Sequence, residues 1–293
     1  MIFTTKIQLP ILGKEVRYST IKNNNYFDII KFITNRDDEG LDNYFEYILS
    51  YIITDKSVVS KLSNIEKFLI LLDNRSLTIG DNLQLKGNNA AKIQFLISSI
   101  KNNIINNIKD LNLTKKIVYN DFKIDLSIPK SLIINDFDKI YREIINKIQV
   151  GDEIIDTNTL TDFEKDSIIG NLPASITGYI LDFIRETQEI TSKISIISEN
   201  TKIGLENVPA NVFDSTFFMF LKSIFTDDLN NFYELQFQLI HKINLSYDHF
   251  MAMTPNECKI YINLYNKEIK KQEEAESKTG SSMPSMPSMP KFR

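Results

Sequence analysis

The chain has 293 residues, 42% of them hydrophobic and 25% charged, which is enough to bury a sizeable core in one large domain or two small ones. Its 34 basic and 38 acidic side chains leave a net charge of -4, so no broad electropositive field awaits a phosphate backbone and generic nucleic-acid binding is disfavoured. A lone cysteine (Cys258), a start at Met1 to Lys6 without the features of a secretory signal, and a longest apolar run (Phe68 to Leu72) far below the roughly 20 residues of a bilayer span lead us to expect a protein made in a reducing cytoplasm, with no membrane span.

In chain order, Lys6 to Tyr18 alternates polar and apolar side chains around Pro10 and Gly13 and predicts a small β-hairpin. From Asn25 the period changes. Tyr26, Ile29, Ile30 and Ile33 form one helical stripe, and Leu41, Phe45, Ile48, Leu49 and Ile52 form a second. Ser63-Asn64-Ile65-Glu66 reads as a capping box, in which hydroxyl and carboxylate satisfy backbone N–H groups that a first helical turn leaves unpaired. The helix it opens carries Phe68, Leu69, Leu71 and Leu72 and stops around Ser76, before a turn into a short strand, Leu83 to Lys86. Ala90 to Lys109 is expected to be one helix burying Ile93, Leu96, Ile97, Ile100, Ile104 and Ile108.

Two alternating runs, Lys116 to Tyr119 and Phe122 to Leu126, flank Asn120-Asp121 and predict a second hairpin closed by Pro129. Phe137 to Ile148 resumes a helical period. Thr161-Asp162-Phe163-Glu164 caps a short helix ending near Gly170, and Pro173 suits the first position of a helix reaching Ile184. Ile190 to Ser198 is read as a strand, although its isoleucines do not separate the two periods. Phe213 to Phe225 and Leu229 to Ile243 are aromatic-rich helices suited to packing on each other or on a partner. Thr254-Pro255-Asn256-Glu257 combines a capping box with a proline at the first helical position. The helix it starts places Cys258, Tyr261, Ile262, Tyr265 and Ile269 on one side and a Lys/Glu-rich face on the other, and past Ile269 it should project from the body.

The chain ends in three Ser-Met-Pro triplets, Ser282 to Pro290, followed by Lys291-Phe292-Arg293. Each proline lacks an N–H and steers the preceding methionine away from helical dihedrals, so this segment is extended. Two readings stand: a flexible tail, or a docking peptide offering Met283, Pro284, Met286, Pro287, Met289, Pro290 and Phe292 to an apolar groove. The fold class is mainly α with small β-hairpins (α+β): a helical body with an N-terminal β-hairpin and an extended C-terminal tail. The organisation expected is a hairpin-plus-helices module over 1–88, a mainly helical body with a central hairpin over 89–276, and the tail over 277–293.

Reactive side chains are sparse. His241, His249 and Cys258 form no HxxxH, HExxH or CxxC pattern, so no metal site is assigned, and Cys258 falls on an apolar stripe as a core residue would. The paired carboxylates Asp37-Asp38, Asp227-Asp228 and Glu273-Glu274 read as helix-end or solvated charges rather than glycosidase pairs. The nine glycines build no GxGxxG or GxxxxGK[ST] phosphate cradle. No catalytic residue and no cofactor are assigned, and a non-enzymatic protein is expected.

The order of the segments carries a resemblance. Leu9-Pro10-x-x-Gly13-Lys14-x-Val16-x-Tyr18, followed by Leu62-Ser63-Asn64-Ile65-Glu66-Lys67-Phe68-Leu69-Ile70-Leu71-Leu72-Asp73-Asn74-Arg75-Ser76-Leu77-Thr78-Ile79-Gly80-Asp81, resembles the amino-terminal half of T4-like bacteriophage baseplate hub proteins, a group with both a hub subunit and a hub assembly factor. The hairpin Ile117 to Leu126, the Leu172-Pro173 helix start and Asp248 to Tyr261 look similar too. The resemblance implies a contractile-tail protein that forms or helps assemble the central hub, with other tail or baseplate hub proteins as partners and room for an oligomer within the hub. It implies residence in the host cytoplasm during assembly and, for a retained part rather than a transient assembly factor, in the virion tail baseplate, and it supplies no catalytic residues. A helical adaptor or scaffold unrelated to phage tails is the alternative.

Overall fold

The computed structural model describes residues 4–35, 41–86, 92–109, 114–128, 137–192, 220–221, 224–225 and 229–279. Strands β1 (Thr4–Gln8) and β2 (Glu15–Ser19) pair antiparallel, with Ile7 opposite Val16, and Gly13 supplies the positive φ of the connection. Their alternation turns Ile7, Val16 and Tyr18 inward. Helices α1 (Asn23–Asn35) and α2 (Leu41–Ile52) bury Tyr26, Ile29, Ile30 and Ile33, and Phe45, Ile48, Leu49 and Ile52, as the stripes predict. A four-residue helix, α3 (Lys56–Val59), follows, too short to leave a period in the sequence.

Helix α4 (Asn64–Thr78) is the pillar of this first layer, with every residue from Asn64 to Leu72 buried. A helix apolar on all sides has to be surrounded; here the hairpin, α2 and the following helix surround it.

Ala90 to Lys109 is not one helix. Lys92–Leu96 forms a strand, β4, paired antiparallel with β3 (Asn82–Lys86), and only Ile97–Ile108 is helical (α5). The helix starts at Ile97 because Asp81, across the hairpin, caps it: Ser98 N donates to Asp81 Oδ1 at 2.9 Å and Ser98 Oγ to Oδ2 at 2.7 Å, while Leu96 at the cap position offers no side-chain bond. The cap comes from 17 residues upstream, so no local pattern announces it. Ile97, Ile100, Ile104 and Ile108 are buried as expected.

A second layer begins at β5 (Thr114–Tyr119) and β6 (Phe122–Ser127), the predicted hairpin, with Asn120 at φ +50° in its turn. The expected helix Phe137 to Ile148 is also divided: α6 ends at Ile144, and Ile145–Val150 is strand β7. Pairing with β6 skips Asn146, because Asp125 faces Lys147 while Leu126 faces Ile145. That bulge turns both Ile145 and Ile148 inward although they are three residues apart, a spacing that mimics a helix. Strand β8 (Glu153–Asp156) completes a four-stranded antiparallel sheet in the order β5-β6-β7-β8. Across its outer face, Lys116, Asp125, Lys147 and Asp156 stand opposite one another in alternating charge.

Helix α7 (Asp162–Gly170) has the predicted capping box at Thr161 and Glu164 and buries no residue; Arg142 holds it through a two-pronged ion pair to Asp166 at 2.6 and 2.8 Å. Helix α8 (Ala174–Ser192) begins just after Pro173 and packs Ile176, Ile180, Phe183 and Ile184 against the sheet. It continues through Ile190 to Ser192, so that part of the expected strand is helical; the remainder, to Ser198, lies outside the described residues.

The chain then returns to the first layer. Phe220, Leu221, Ile224 and Phe225 join its core, where Tyr26 Oη donates to the Phe225 carbonyl at 2.9 Å and Tyr44 Oη to that of Leu221 at 3.4 Å. The rest of the predicted helix 213–225 lies outside the described residues. Leu229–Phe237 (α9) passes into a π-helical segment, Gln238–Lys242, followed by α10 (Tyr247–Ala252) and α11 (Pro255–Thr279). Two apolar clusters result: one from the N-terminal layer with Phe220 to Cys258, the other from Ile117 to Ile184.

Candidate interaction surface

The residues that carry the family resemblance act first on the fold. Glu66 completes the capping box with Ser63, and its Oε1 also accepts from Ile11 N at 2.9 Å and Leu12 N at 2.6 Å. One buried carboxylate thus caps α4 and clasps the β1–β2 turn. Tyr18 Oη donates to Asp73, which also takes Lys101 of α5 in an ion pair at 2.5 Å. Burial and the Asp73 carboxylate hold the Tyr18 phenol well above its ordinary range, so it stays a neutral donor. Asn74 Nδ2 donates to the Ser19 carbonyl at 2.7 Å, Thr78 Oγ1 to Asn74 Oδ1 at 2.9 Å, and Ile21 N to Thr78 Oγ1 at 3.2 Å. Arg75 Nη2 reaches the Asn82 carbonyl at 2.8 Å. These polar groups fasten hairpin, α4 and α5 into one block.

Helices α9 to α11 sit on that block and offer apolar surface outward. Phe232 anchors them, stacking on Phe27 at 5.3 Å and meeting Phe250 edge-on at 5.4 Å. The start of α11 is tied down as firmly. Asn23 N donates to the Met253 carbonyl at 2.7 Å, Asn23 Nδ2 to the Phe250 carbonyl at 2.7 Å and to Cys258 Sγ at 3.1 Å, and Lys259 Nζ to the Ile79 carbonyl at 3.2 Å. Its predicted cap is present: Thr254 N donates to Glu257 Oε2 at 2.7 Å, and Glu257 N to Thr254 Oγ1 at 3.2 Å.

The predicted apolar side of α11 is borne out for Cys258, which is buried, and for Ile262, Tyr265 and Ile269, which are half-buried. Tyr261 departs from it, at 47% exposed, because it lies about 60° of helical turn from Cys258 and about 100° from Ile262. Nor is the opposite side only Lys and Glu: Ile260 is 50% and Leu264 58% exposed. Their spacing of four was a legible sign of a second strip. Nearby elements add Tyr233, Phe237 and Tyr247, all more than half exposed. From Lys270 to Ala275 every side chain is exposed. A groove of about 380 Å3 runs between the π-helical segment and α11.

Burial pushes the Cys258 thiol up to about 11, with the Asn23 amide offsetting it in part, so it remains a protonated core thiol. His241 lies against the Phe237 ring at 4.5 Å, and His249 Nδ1 is 2.9 Å from Ser246 Oγ at the start of α10. Among the described residues no three His, Cys, Asp or Glu side chains gather where a metal ion could be held. Glu273 and Glu274 lie on the exposed half of α11, while Asp37-Asp38 and Asp227-Asp228 lie outside the described residues. So do Met283, Pro284, Met286, Pro287, Met289, Pro290 and Phe292 of the tail. Among the described residues, no single helix is long and apolar enough to cross a membrane.

The sequence model of the family described as T4 bacteriophage base plate protein matches residues 1–218. No curated protein and no solved structure matches the chain.

Proposed function

The chain belongs to the T4 bacteriophage base plate protein family, and from that premise we propose that it forms or helps assemble the central hub of a contractile-tail baseplate, through contacts with other hub proteins and without catalysis. The observation that carries this reading is the pairing of a tightly fastened inner block with apolar side chains left outward on the C-terminal helices: Tyr233, Phe237, Tyr247, Ile260, Tyr261 and Leu264. Exposed apolar side chains of this kind are what protein interfaces bury, with tyrosine and phenylalanine as favoured anchors.

Its mechanism is differential binding. A protein that binds one arrangement of hub components more tightly than another shifts their population toward the competent form, with no bond made or broken. On this reading the chain acts in the host cytoplasm during assembly, and several copies can share one hub. The Ser-Met-Pro tail is a further contact, an extended ligand in which Met283, Met286, Met289 and Phe292 enter an apolar groove. Mass spectrometry of mature particles beside hub assembly intermediates tests the assignment. The chain is expected in hub intermediates; finding it in neither intermediates nor particles would overturn the reading.

A further inference from the structure

We propose that the tail's groove is on this same chain: Ser281 to Arg293 folds back along α11 and lays its Ser-Met-Pro triplets between α11 and the π-helical segment. The inference rests on the reading of the tail as a groove ligand and adds the groove's identity. Among the described residues, that groove is lined by Ile243, Ile262, Tyr265 and Ile269, with Gln238, Lys242 and Asn266 as its polar groups. Gln238 and Lys242 also line a larger concavity of about 860 Å3 that includes Phe237 and His241, so apolar surface extends past the groove's end.

The chain length fits. Helix α11 ends at Thr279, ten residues past Ile269, which is roughly 15 Å at 1.5 Å per residue. Fourteen residues follow Thr279, and in polyproline geometry they span about 43 Å. A reversal at Gly280 and a return of roughly 15 Å bring Met286 level with Ile269.

The spacing fits as well. Consecutive methionines of the triplets recur every ~9 Å in polyproline geometry, and Ile262 and Ile269, seven residues apart on the helix, are separated by ~10.5 Å. Met286 and Met289 therefore meet Ile269 and Ile262 in turn, and the unbranched methionine side chain takes up the small mismatch. Each proline brings no N–H that would need a partner in the groove, while Gln238, Lys242 and Asn266 can donate to the triplet carbonyls. Tethering helps too, since a segment on a short connection faces its groove at an effective concentration on the order of millimolar.

Photo-crosslinking decides the proposal. The purified full-length chain, with Met286 replaced by photoreactive benzoylphenylalanine, is irradiated at two protein concentrations and its adducts are mapped by mass spectrometry. The expected adducts lie within one chain, on residues 238–243 or 262–269, with a yield independent of concentration. Ile269→Asp, at a half-buried position outside the core, should lower that yield about tenfold or more, as loss of one isoleucine contact implies, with the melting temperature unchanged. Adducts only between copies, adducts elsewhere, or no adducts would overturn it. Deleting the tail and scoring hub assembly separates the two claims: a deletion that blocks assembly without any groove adduct removes the groove assignment and leaves the tail's docking role standing.

Discussion

Helices α4 and α11 have opposite relations to the rest of the chain. Over Asn64 to Leu72, α4 gives every side chain to the interior, and its polar groups are spent on neighbours inside the fold: Glu66 on Ile11 and Leu12, Asn74 on Ser19, Arg75 on Asn82. By contrast α11, the longest described helix at 25 residues, is fastened by its first turns and leaves Ile260, Tyr261 and Leu264 to solvent. The difference separates two roles: the residues around α4 build a rigid base, and under the proposed function the contacts with other proteins fall to what α11 leaves uncovered.

Substitutions sharpen that contrast. Phe68→Ala on α4 should cost about 3–5 kcal/mol, the usual loss for a fully buried aromatic ring, read by chemical denaturation; a loss under ~1 kcal/mol would mean that α4 is not the pillar described. Glu66→Ala removes the cap and the clasp together and should cost about 2–4 kcal/mol, with hydrogen exchange at the Ile11 and Leu12 amides rising as the local signature.

The cap that Asp81 gives α5 adds a pH dependence. Burial pushes the Asp81 carboxyl up, but the Ser98 and Ser76 hydrogen bonds and the nearby Arg75 charge outweigh it, leaving the group below the usual carboxylate range. A carboxylate whose folded pKa is depressed contributes stability above the unfolded value of about 3.9, and that contribution is lost as pH falls through the folded pKa. Asp81→Asn should therefore cost about 1 kcal/mol at neutral pH and almost nothing once the wild-type carboxyl is protonated. A cost that stays level across that range would rule out the charged cap. The smallest stability effect belongs to α11: Leu264→Ser should change unfolding free energy by no more than ~0.5 kcal/mol, and a larger loss would show that its side chain is core after all.

Features written in short stretches were legible from sequence. The capping boxes at Ser63, Thr161 and Thr254 each depend on two residues three apart, and all three are present. The β1–β2 and β5–β6 hairpins rest on alternation around a turn and were legible for the same reason. What could not be read locally was β4 and β7. Each became a strand because another strand offered its edge, β3 for one and β6 for the other, and the bulge at Asn146 disguised β7 with a helical spacing. The exposed strip on α11 was half legible: the side carrying Cys258 and Ile262 could be read as the packed one, but Ile260 and Leu264 lie on a face whose Lys and Glu residues mask their helical interval.

The most direct measurement is hub assembly with a Tyr261→Ser/Leu264→Ser chain supplied in place of the wild type, scored as the yield of completed tail hubs beside the thermal unfolding of the purified protein. The account predicts unfolding within about 2 °C of wild type, as exposed positions allow, together with a severe loss of hubs. Normal hub yield from an equally stable variant would contradict it.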